Sequence, residues 1–80
     1  MKTRDVIKHI VLQIIKNSNL PKTKTEIKNQ VYDYAVKNDI LTKEFVVEFG
    51  EIGWVFQNLR QKDELIESKK IDRRWVWYAI

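Results

Sequence analysis

Val6, Ile7, Ile10, Val11, Ile14 and Ile15 recur at spacings of three and four, the period of an α-helix that buries one side. This stripe needs a partner layer, and a chain of only 80 residues must supply it. That length gives one domain, residues 1–80, with a real but small core. Lys8, Gln13 and Lys16 lie largely off the stripe. Thr3 is placed to cap the helix, and Asp5 suits the positive end of its dipole. Asn17-Ser18-Asn19 ends it, and Pro21 prevents its resumption.

Leu20-Pro21-Lys22 then reads as a short extended connector. Thr23-Lys24-Thr25-Glu26 has the spacing of a capping box, threonine at the cap and glutamate three residues on. It opens a second helix with Ile27, Val31, Tyr34 and Ala35 as its core face. Residues 40–49 carry two signals. Phe45, Val46, Val47 and Phe49 suit a strand, while Thr42-Lys43-Glu44 suits the cap of a helical turn, the preferred reading. A third helix begins in Gly50–Gly53, turns Ile52, Val55, Phe56 and Leu59 inward and closes at Lys62-Asp63. Leu65–Ser68 reads as a strand, Lys69–Asp72 as a turn and Arg73–Ile80 as a returning strand. The expected class is α+β, mainly helical with a C-terminal two-stranded hairpin.

The net charge of +4 is unevenly spread. Residues 1–30 hold seven basic and two acidic groups, 31–50 two and four, 51–80 six and five. A basic excess of this kind favours an anionic partner such as nucleic acid. The absence of cysteine excludes disulfides and thiolate metal sites. The longest apolar run, Val6–Ile15, is broken by Lys8, His9 and Gln13 and is far too short to span a bilayer. No small-residue cleavage site follows it, so the expected location is the cytoplasm, without membrane attachment. Abundant Lys, Asn and Ile suggest an AT-rich phage or prokaryotic genome.

Gly53-Trp54-Val55-Phe56-Gln57-Asn58-Leu59-Arg60, then Asp63-Glu64-Leu65-Ile66 and Arg74-Trp75-Val76-Trp77-Tyr78, follow the first two helices in order. From Arg4 to Ile80 this succession resembles the three-helix winged helix-turn-helix family, with a two-stranded wing. Residues 40–49 are longer than the turn usual between its second and third helices. The resemblance implies sequence-specific duplex DNA binding, by a small transcriptional regulator or the DNA-contacting part of a replication or recombination complex. It also implies that the third helix enters the major groove. There the face opposite the core would offer Trp54, Gln57, Asn58 and Gln61, with Arg60 at its margin. Gln and Asn side chains can each pair twice with an adenine edge.

Backbone contacts are expected from Lys69, Lys70, Arg73 and Arg74 in the wing, and from Lys22, Thr23, Lys24, Thr25 and Lys28 around the second helix's start. Lys2 and Arg4 add to them from the first helix. The alternative is a protein-interaction module in which Trp54 with Trp75 or Trp77 forms a hot spot or homodimer contact. Enzymatic chemistry is not expected, and no cofactor is implied. His9 is the only histidine, and Glu67-Ser68-Lys69 matches a metal-nuclease spacing that is common by chance.

Overall fold

The computed structural model describes residues 2–80. The element order is α1 (Thr3–Lys16), β1 (Lys22–Thr23), α2 (Lys24–Lys37), α3 (Lys43–Gly50), α4 (Gly53–Gln57), a π-helical turn (Asn58–Lys62), β2 (Ile66–Ile71) and β3 (Arg74–Ala79). The architecture is α+β, as expected, but richer by two elements. Residues 43–50 form a fourth helix, and the connector before α2 becomes a third strand in an antiparallel sheet of order β1-β3-β2.

Each extra element has a local cause. Thr42 Oγ1 accepts the Phe45 N–H at 3.1 Å, which starts α3. Phe45 and Phe49 sit four residues apart and turn inward with rings 6.1 Å apart, leaving Val46 and Val47 exposed. A strand would have split the two phenylalanines from the core differently, so the cap and the i, i+4 pair override β-propensity. Pro21 keeps the connector extended, and Lys22 and Thr23 pair with Trp77 and Val76.

The capping box forms as its spacing demands. Thr23 Oγ1 accepts the Glu26 N–H at 3.2 Å, and the Thr23 N–H donates to Glu26 Oε1 at 3.0 Å. That backbone donation, with the Thr23 hydroxyl and then Lys22 and Arg74, holds the Glu26 carboxyl below the usual glutamate range. A carboxyl lowered on folding stabilises the fold above its unfolded pKa, and that contribution is lost as pH falls through the folded value. Glu26→Gln should therefore flatten the acid limb of a stability-versus-pH curve. Thr23→Ala should cost about 1 kcal/mol at neutral pH by denaturant unfolding. The far end of α2 closes in a Schellman arrangement, with Ile40 N–H on Ala35 O and Asp39 at φ 54°.

The core gathers Ile7, Ile10, Val11 and Ile15 from α1, Ile27, Val31 and Ala35 from α2, and Phe45 from α3. Ile52, Val55, Phe56, Leu59 and Ile66 complete it. Full burial of each large aliphatic or aromatic side chain contributes about 1.5–3 kcal/mol. Two local expectations fail. Tyr34 is 47% exposed, because Val31 and Ala35 already fill the inward side of α2. Thr3 lies inside α1, whose cap position is Lys2 without a side-chain cap bond.

Residues 69–71, expected in a turn, continue β2 instead. The reversal is a two-residue turn at Asp72-Arg73, with φ of 49° and 68°. Two successive left-handed residues are the arrangement whose twist matches paired strands.

Candidate nucleic-acid interface

Trp77 is the hinge of the site. Its ring lies 4.9 Å from Phe56, fixing the sheet's inner face against α4. Trp77 pairs across to Ser68, and Ala79 to Ile66, so these four share that inner face. Two residues back along β3, on the same face, stands Trp75 with Lys70 opposite it. The helices no longer cover this part, and Trp75 is 59% exposed. Trp77 and Ala79 pack against the helical core, while on the other face Val76 is also buried and Tyr78 lies under the Lys69 ammonium, 5.1 Å from its ring.

On the helical side, the Lys24 ammonium lies 5.4 Å from the centre of the Phe56 ring. A methyl group built at Gly53 would meet the same ammonium at 3.8 Å, so the start of α2 stands beside the start of α4. Gly53, Gln57 and Gln61 are exposed along this flank. Gln57 Nε2 donates to Gln61 Oε1 at 3.4 Å, a long bond that leaves both amides easy to redirect. Lys24 and Gly53 thus stand beside Phe56, and the Trp75–Lys70 pair stands one step along the sheet face from Trp77, whose ring meets Phe56.

Two of the four expected base-reading residues leave the exposed flank. Trp54 packs against the core, and its Nε1 is buried without a hydrogen-bond partner among the described residues. Asn58, one turn further on, is half-buried and donates its amide to Trp54 O at 2.9 Å. The cause is α1. Arg4 stacks 4.9 Å over the Trp54 ring while its Nε binds Glu48 at 2.6 Å, and Lys8 pairs with Asp63. Trp54 and Asn58 thereby belong to the helix–helix seam. The π-helical turn, closed by Asp63 N–H on Asn58 O at 3.0 Å, adds width between this seam and Gln61.

The expected backbone cations divide in the same way. Arg4 is held as above, and Arg60 binds Glu67 at 2.8 Å. Glu67 is held below the usual glutamate range by the Ser68 N–H first and Arg60 second, so the Glu-x-Lys carboxylate is already engaged. Lys28 lies 5.9 Å from the Phe49 ring, over α3. Lys22, Lys24, Lys69, Lys70, Arg73 and Arg74 make no ion pair within 4.0 Å among the described residues. Lys70 is on the inner face with Trp75, Lys69 is on the opposite face, and Arg73 is at the tip. Arg74 is close enough to Glu26 to lower its pKa, which offsets part of its charge. Thr23 is committed to the capping box, while Thr25 is exposed beside it.

Arg73 occupies a left-handed position that costs a non-glycine residue roughly 1 kcal/mol. Arg73→Gly should therefore raise the unfolding free energy by about 0.5–1 kcal/mol in denaturant titration. If Arg73 touches phosphate, the same variant binds duplex DNA more weakly, and stability and binding move in opposite directions.

His9 is exposed on α1 and lines a separate groove with Gln13, Gln30 and Tyr34. No group of three or more His, Cys, Asp or Glu residues arranged for a metal occurs among the described residues. No helix of the described residues is long and apolar enough to cross a membrane. Comparison with family models, curated proteins and solved structures finds no match for this chain.

Proposed function

We propose that the chain is a winged helix-turn-helix module that binds duplex DNA, with α4 toward the major groove and the β2–β3 hairpin as a basic wing. The observation that carries this reading is the meeting of helix and hairpin at Phe56 and Trp77, whose rings lie 4.9 Å apart. Lys24 and Gly53 stand beside Phe56, the exposed Gln57 and Gln61 continue the helical side, and Lys70 with Trp75 follows Trp77 along the sheet toward the Arg73 tip. The element order, and a sheet in which the first short strand pairs with the last, support the same reading. Gln57 and Gln61 read base edges in it, and Lys24, Lys70 and Arg73 hold phosphates. A small transcriptional regulator, or the DNA-contacting part of a replication or recombination complex, would use such a surface.

The test is a binding-site selection from randomised duplex followed by titration of the preferred and a scrambled sequence. A lost bidentate base pairing is worth about 1–3 kcal/mol, roughly 5- to 150-fold. Gln57→Ala and Gln61→Ala should lose that factor on the preferred sequence and little on the scrambled one. Equal losses on both would remove the base-reading role of α4.

A second reading rests on a different surface. Val46 and Val47, adjacent on α3, are 52% and 65% exposed, and Val36 on α2 is 52% exposed, with the acidic Glu44 and Asp33 exposed on the same two helices. Exposed apolar side chains on helices with this charge suit a protein partner better than DNA. Tight binding of a protein by a chain that ignores DNA would favour it.

A further inference from the structure

Trp75 has no structural task that its exposure would serve. Alternation along β3 places it with Trp77 and Ala79, both packed against the core, yet Trp75 itself is not. A large indole is left 59% exposed on the central strand. The groups nearest to it along the chain and ladder are cationic: Lys70 directly across the ladder and Arg73 at the tip just before it, with Lys24 beyond Trp77 and Phe56, while Arg74 alternates to the other face. Asp72 is the acidic group at the turn itself, and Glu26 faces Arg74. An exposed aromatic face with an ammonium across the ladder and a guanidinium at the adjoining turn complements a π-face flanked by phosphates, which is what a nucleobase in its strand presents.

Resting on the DNA-binding reading above, we propose that Trp75 is a wedge that stacks on a nucleobase in the groove entered by the hairpin. Lys70 and Arg73 hold the phosphates on either side of it. A wedge must part a base step, so DNA in which a base is already unstacked binds more tightly than a perfect duplex. Trp75 thus adds a preference for deformable or interrupted steps that the amides of α4 do not supply.

The experiment titrates the full chain against two labelled duplexes of one sequence, fully paired and carrying a single unpaired base, with Trp75→Ala and Trp75→Phe beside the parent. The parent should favour the interrupted duplex. Trp75→Ala should lose about 5- to 150-fold on it, the range for one stacked base, and Trp75→Phe should recover most of that loss. Because Trp75 carries no charge, Trp75→Ala should leave the salt dependence of binding unchanged. Its thermal midpoint should also hold, since the ring is not in the core. DNA should further shield the parent's tryptophan emission from acrylamide, an effect missing in Trp75→Phe. Trp75→Ala binding both duplexes like the parent overturns the wedge and leaves DNA binding standing. No binding of either duplex by the parent at low salt overturns both.

Discussion

Phe56→Ala is expected to cost about 3–5 kcal/mol, the range for truncating a buried aromatic ring. An 80-residue domain has a total stability of about 4–12 kcal/mol, so this one change removes roughly a quarter or more of it. The loss also has a location. Phe56 is 1% exposed and touches Trp77 from the sheet, while Lys24 from α2 stands over its ring. Truncation opens a cavity where α4, β3 and α2 meet, so any DNA binding should fail with the fold. Chemical denaturation measures the first effect. Phe56→Leu, which keeps most of the volume, should recover part of the stability.

Neutralising Lys24, Lys70 and Arg73 together should have the largest effect on binding while leaving the fold intact, since all three are exposed. Each phosphate contact contributes about 0.9 to the slope of log affinity against log salt. The triple alanine variant should therefore flatten that slope by about 2.7 and weaken binding to every duplex sequence alike. Arg4→Ala and Arg60→Ala should change the slope much less, because Glu48 and Glu67 already hold those guanidinium groups. A triple variant with the parent's slope would place the phosphate contacts elsewhere.

The sequence made the helices and the hairpin legible because their signals are local. The stripe of α1, the Thr23–Glu26 box and the apolar runs around residues 66–79 each lie within one element. The turn is hard to place from sequence because Lys69-Lys70-Ile71-Asp72-Arg73 contains no glycine or asparagine to mark the left-handed pair. The ladder that puts Lys70 opposite Trp75 would follow only from knowing that Ile66 pairs with Ala79. The candidate site was half legible for a similar reason. Helical period alone put Gln57 and Gln61 outside, where they are.

Helical period puts Trp54 and Asn58 on the same flank, but whether that edge of a helix is wet depends on its neighbour. Arg4, fifty residues away, covers it. Strand alternation puts Trp75 on the side of Trp77, yet its exposure depends on how far the helical layer extends along β3. Nothing in the spacing of residues encodes that length. The fourth helix was within reach of the Thr42 cap, which the β-branched run after it obscured.

Backbone amide shift mapping during titration with a short duplex at low salt tests the proposed surface most directly. Shifts should concentrate at Gly53, Gln57 and Gln61 and along Lys70–Trp75, with Lys24 and Thr25 at the α2 start joining them. Shifts confined to Val36, Val46 and Val47, or none at all, would contradict it.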